Sequence, residues 1–242
     1  MTTQLPRPRT FLFLAALFVG CGGPQLEGTE IDPFTGEELL AAATSIDMHN
    51  LAADSDILGG STITVAKVQA FLNKKGGALK SYRDPAFGNR TAADLIVANS
   101  RAEGINPVYM LARIQTESSL ISGSNTSLIP QATGCGCPDG GGCGSKYRGF
   151  GKQIECAAQK FKGYLNDLNA GRPTVSGWKV GVTKSTSDPC SVKPVNKATA
   201  ALYTYTPWVG AYATQCGRKS VGGSSLLASI LISYKADPLL AP

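Results

Sequence analysis

Apolar side chains recur at helical spacing in block after block of this sequence, and no stretch alternates apolar and polar residues convincingly as a strand would. In TVAKVQAFLNKKGG the repeat is Val65, Val68, Phe71 and Leu72, with Gly76 and Gly77 as the stop. TAADLIVANSRAEG opens with Thr91 and Asp94 in a capping arrangement and closes at Gly104. QIECAAQKFKGYLNDLNAG buries Ile154, Ala158, Phe161 and Leu165 and turns Lys160 and Lys162 outward. Shorter helical pieces are expected at NKATAALY and SSLLASILISY. Residues 122–150 are rich in Ser, Gly, Asn and Cys, and 171–194 are irregular and contain proline, so both read as loops. The expected fold is mainly α, with long loops between its helices.

The N-terminus points to export. MTTQLPRPRT carries two arginines and no acid, and the ten residues FLFLAALFVG are apolar or small. A spanning helix needs about 20 such residues, so 1–20 has the layout of a secretory signal peptide. FVG followed by Cys21, Gly22 and Gly23 resembles the lipobox of bacterial lipoproteins. That resemblance implies cleavage before Cys21, a lipid on its sulfur, and a bacterial envelope protein on the periplasmic face of the outer membrane or at the cell surface. A plain signal peptide with Cys21 left spare is the alternative.

Export gives the other six cysteines, Cys135, Cys137, Cys143, Cys156, Cys190 and Cys216, a clear reading as disulfides. Composition does not choose among their pairings. A zinc site built on Cys135, Cys137 and Cys143 is the rival, disfavoured by an oxidising compartment, and no metal or cofactor is expected. The glycine-rich loop around them has little to bury, so cross-linking is its source of order.

Charge divides the chain. From Gly22 to Ala66 there is no lysine or arginine, but eight acids: Glu27, Glu30, Asp32, Glu37, Glu38, Asp47, Asp54 and Asp56. Residues 21–60 accordingly read as an acidic tether and 61–242 as the folded domain. From Lys67 onward, 21 basic residues face nine acids, a net of +12. Such a surface attracts polyanions such as acidic wall polymers or anionic lipid, while export argues against nucleic acid. A monomer is expected.

The single histidine, His49, falls in the acidic section. This excludes Ser–His–Asp and Cys–His hydrolases and HExxH metalloenzymes. No GxxxxGK[ST] loop and no GxGxxG opening a helix is present. Chemistry here would fall to carboxylates. Glu117 is the one that stands out. In INPVYMLARIQTESSL, Asn106 suits an N-cap and Pro107 the first helical position. Met110, Ile114, Glu117 and Ile121 then share one face, which places the carboxylate on the apolar stripe. A buried glutamate resists ionisation, and a general acid for glycoside cleavage must hold its proton at neutral pH. The competing reading pairs Glu117 with Arg113, four residues earlier, in a purely structural role.

ARIQTESSL resembles the helix-end motif of the lysozyme-like superfamily, above all soluble lytic transglycosylases and goose-type lysozymes, in which the Glu of a Glu-Ser pair is catalytic. GFGKQI, residues 149–154, resembles their Gly-x-x-Gln motif, with Gln153 as the glutamine. ALYTYTP, residues 201–207, resembles their Ala-x-Tyr-Asn segment, with Tyr203 as the tyrosine and Thr204 in place of asparagine. A nearer resemblance, across 61–235, is to a group of exported bacterial lysozyme-like proteins. Their TxxxVQAFL, INPxxLL…ES, GCPD-x3-C, YxGFxxQ…AA and LYxYTP motifs have counterparts at Val68–Leu72, 105–118, 136–143, 147–158 and 202–207.

The resemblance implies a lysozyme-like helical domain and the pairs Cys137/Cys143 and Cys190/Cys216, leaving Cys135 for Cys156. It also implies cleavage of the β-1,4 bond in peptidoglycan glycan strands, either as a lytic transglycosylase or as a muramidase. Glu117 would be the acid, and Ser118, Gln153, Tyr203 and Thr204 would serve substrate and carboxylate. Tyr205 and Trp208 could stack on sugar faces or belong to the core. The alternative is a lipid-anchored protein that binds wall glycan without cutting it.

Overall fold

The computed structural model describes residues 46–138, 142–213, 215–217 and 221–241. The leader, Cys21 and the first part of the acidic section lie outside them. The described residues form seven α-helices: α1 (Asp54–Ile57), α2 (Val65–Lys75), α3 (Ala92–Ala102), α4 (Pro107–Ser118), α5 (Phe150–Asn169), α6 (Lys197–Tyr205) and α7 (Gly223–Ala236). Two antiparallel ladders of two residues per strand complete the regular structure. They are β1 (Arg83–Asp84) with β2 (Arg90–Thr91), and β3 (Lys184–Ser185) with β4 (Ser191–Val192). Strands this short carry no alternation to read.

Four helices, α2, α3, α4 and α6, start where a side chain meets their first free N–H groups, whereas α5 and α7 follow the glycines Gly149 and Gly222 with no side-chain cap. Thr64 accepts from the N–H of Lys67, Thr91 from that of Asp94, Asn106 from that of Val108 and Asn196 from that of Thr199. Pro107 takes the first position of α4, where it forfeits no helical bond. α4 lies at the centre: it packs on α7, α3 packs on α2 and α5, and α5 on α6. Phe71, Met110, Leu111, Ile114, Ile154, Phe161, Leu231 and Tyr234 are buried between them. No helix among the described residues is long and apolar enough to cross a membrane.

The tether expected over residues 21–60 needs correction at its C-terminal end. Ile46, Met48, Leu51, Ala52 and Ile57 are buried in the core. The N–H of Leu51 donates to Thr199 Oγ1, and the carbonyl of His49 accepts from the N–H of Val195. Asp54 and Asp56 accept from the N–H groups of Ala198 and Ala53, so these acids fasten backbone instead of extending a linker. The folded part therefore starts before residue 61.

Three disulfides close the loops: Cys135–Cys156, Cys137–Cys143 and Cys190–Cys216. These are the pairs implied by the resemblance. The first ties the loop after α4 to α5, and the third ties the β3–β4 ladder to the segment before α7.

Candidate functional site

Glu117 sits in the last turn of α4, which stops two residues later at Ser119 in the left-handed conformation. A 3-10 turn over Thr126–Gln131 then delivers the loop 132–136 beside the helix end. Ser118 fixes that junction. Its Oγ lies 2.9 Å from the carbonyl of Ile114 and 2.8 Å from that of Ala132.

Gln153, on α5, holds the same loop from the other side. Its Oε1 accepts from the N–H groups of Thr133 (3.2 Å) and Cys135 (3.1 Å), and its Nε2 donates to the carbonyls of Cys135 (2.8 Å) and Tyr147 (2.7 Å). The side chain is fully buried, so an amide that can both give and take satisfies four backbone groups at once. Gly134, at the centre of the clamped segment, has φ +68°, and a Cβ there would stand 3.8 Å from Glu117 Oε2. The loop thus presents bare backbone to the carboxylate.

The other wall is Arg113, with 1% of its side chain exposed. Its Nη1 donates to Glu117 Oε1 at 2.8 Å and to Thr206 Oγ1 at 3.0 Å. Nε and Nη2 reach Tyr109 Oη at 3.4 and 3.2 Å, and the guanidinium lies 4.1 Å from the ring centre of Tyr205. Tyr205 Oη in turn donates to the carbonyl of Thr133, which closes a circuit from α4 through α6 to the clamped loop. Burial works against the arginine's charge, but Tyr109, Glu117 and Tyr205 around it outweigh that penalty and raise its affinity for its proton. Burial pushes the Tyr109 and Tyr205 hydroxyls up as well, with Arg113 pulling in the opposite direction.

The setting of Glu117 departs from the dry pocket that its helical stripe suggests. Its side chain keeps 26% exposure, and its Oε1 is ion-paired with Arg113. The i, i+4 pairing therefore forms, because α4 ends here and the last turn is not covered. Oε2 has no hydrogen-bond partner among the described residues. Glu117 is also the acid whose charge acts on Tyr109, Arg113 and Tyr205, with no second carboxylate in that circle among the described residues.

Four of the residues expected to serve substrate or carboxylate make their bonds within the fold. Gln153 is buried in its clamp and Ser118 is bonded at the helix end. Tyr203 is fully buried, donates to the carbonyl of Met48 and stacks on Trp178 with centroids 4.9 Å apart. Thr204 Oγ1 is 2.7 Å from Thr174 Oγ1 and 2.8 Å from the carbonyl of Ala200, so its bonds also run inward. Tyr205 joins the site as the platform for Arg113. Trp208 is half-buried and packs its ring against Gly222, where a Cβ would meet Cη2 at 2.5 Å. Thr206 is the threonine of the LYxYTP motif, to which the resemblance assigns no role, while Thr133 and Gly134 belong to the site and carry no sequence signal of their own beyond lying next to the motifs. No family model, curated protein or solved structure matches this chain.

Proposed function

We propose that this protein cleaves the glycan strands of peptidoglycan, with Glu117 as its single proton-transferring residue. The observation that carries this reading is the division of labour within one carboxylate. Oε1 is pinned by a buried guanidinium, while Oε2 has no hydrogen-bond partner among the described residues and faces Gly134. A reacting acid needs that combination of fixed orientation and open access.

Oε2, having taken up a proton from solvent, would give it to the glycosidic oxygen as the bond from that oxygen to the sugar C1 breaks, leaving positive charge shared by C1 and the ring oxygen. With no second carboxylate in the circle among the described residues, the sugar's own 6-hydroxyl is the fitting nucleophile. Its oxygen bonds to C1 and its proton returns to Oε2, which gives a 1,6-anhydro end and restores the enzyme. The envelope location and the lipid anchor rest on the leader and on Cys21.

A second reading has its own support. The ion pair to Arg113 engages the carboxylate, and the inward-turned Gln153 and Tyr203 offer a sugar nothing, as in a module that binds wall glycan without cutting it. Incubation of purified peptidoglycan with wild type and Glu117→Gln separates the two. Soluble fragments from wild type alone support the enzyme. Binding by both, with no product from either, supports the module.

A further inference from the structure

The exposed face of α5 holds a second candidate site. A cavity of ≈ 330 Å³ opens there, lined by Lys146, Tyr147, Lys152, Glu155, Gln159 and Lys160. From residues 142 to 162 the chain carries five cations, Lys146, Arg148, Lys152, Lys160 and Lys162, against the one acid Glu155. None of these six charges enters an ion pair among the described residues. That is notable for Lys152 and Glu155, which are three residues apart on one helix face and spaced to meet. Lys152 instead reaches the carbonyl of Ser145 at 3.4 Å, Glu155 accepts from the Gln159 amide at 3.4 Å, and Lys146 lies over the ring of Tyr147 at 5.4 Å.

The order of charge along the groove is positive at Lys152, negative at Glu155 and positive at Lys160, over about 12 Å of helix. A uniform polyanion would be repelled at the middle of that series. A ligand with carboxylates on either side of an ammonium matches it at all three points. Tyr147 also connects the cavity to the first site. Its ring lies against Gly136, where a Cβ would clash at 2.3 Å, and its carbonyl is held by Gln153. Gly136 is two residues from Gly134, at most about 7 Å of chain.

We propose that this cavity binds a short acidic peptide bearing a free side-chain ammonium, with Lys152 and Lys160 holding carboxylates and Glu155 holding the amine. That the peptide is the stem attached to the glycan strand at Glu117 rests on the reading in the preceding subsection. The binding itself does not.

The test uses N-acetyl-Ala-γ-Glu-diaminopimelate as probe, followed through backbone amide resonances of the folded chain. The same peptide acetylated on its side-chain amine, and inorganic polyphosphate, are run in parallel. The expected result is saturable shifts centred on residues 146–160. Lys152→Gln and Lys160→Gln should each weaken binding about two- to five-fold. Glu155→Gln should weaken the free-amine peptide and leave the acetylated one unchanged. Absence of saturable shifts, equal binding of both peptides to wild type, or tighter binding of polyphosphate would overturn the proposal. The probe contains no sugar and is not turned over, so a failure of glycan cleavage leaves this result standing, and the reverse also holds.

Discussion

Lys152 and Gln153 are neighbours in sequence and opposites in setting. Gln153 points into the protein and meets four backbone groups, while Lys152 lines a cavity and forms no ion pair with Glu155. The contrast shows that a polar residue in a recognisable motif need not touch substrate. On the inner face of α5, polarity organises a loop so that another residue, Glu117, can be reached. On the outer face, charges kept apart are available to something that arrives from solution.

The inner face should respond most strongly to substitution. Gln153→Ala strands buried backbone donors at Thr133 and Cys135 and should cost about 3–4 kcal/mol in chemical denaturation. Gln153→Glu keeps the shape but removes the donor to two carbonyls, so a comparable loss would show that hydrogen bonding, and not volume, is the role. A stability near wild type for Gln153→Glu would break the comparison. Replacing Cys135 and Cys156 by serine frees the same loop and should cost about 2–5 kcal/mol, read as a lowered denaturation midpoint.

The buried tyrosines give a pH signature. Burial raises Tyr109, Tyr203 and Tyr205, so the folded state keeps these protons longer than the unfolded chain does. Stability from this source is fully present below about pH 10 and falls as pH rises further, because the unfolded phenols ionise first. Denaturation curves at stepped alkaline pH should show that decline, with phenolate absorbance lagging until the protein unfolds. On the outer face, Lys152→Gln and Lys160→Gln should move stability by no more than about 0.5 kcal/mol. A larger loss would mean these side chains are structural after all.

Much of the fold was readable because local signals set its boundaries. Thr64, Thr91 and Asn106 mark helix starts through their own side-chain oxygens, and Gly76 follows α2 as its C-cap. Residues 46–60 were not readable, since irregular backbone buries Ile46, Met48 and Leu51 through tertiary contacts that leave no period. The site was half legible. The stripe spacing singles out Glu117 and offers Arg113 as its partner, but the end of α4 exposes what the stripe suggests is covered. Thr206 and Gly134 act through contacts between segments far apart in sequence, which no local pattern records. The inward orientation of Gln153 and Tyr203 likewise depends on where α5 and α6 pack.

Mass spectrometry of muropeptides released from purified peptidoglycan tests the central claim most directly. The account predicts products ending in 1,6-anhydro sugars, a water lighter than hydrolytic ends, from wild type and none from Glu117→Gln. Equal release by the two proteins, or no release by wild type at saturating binding, would contradict it.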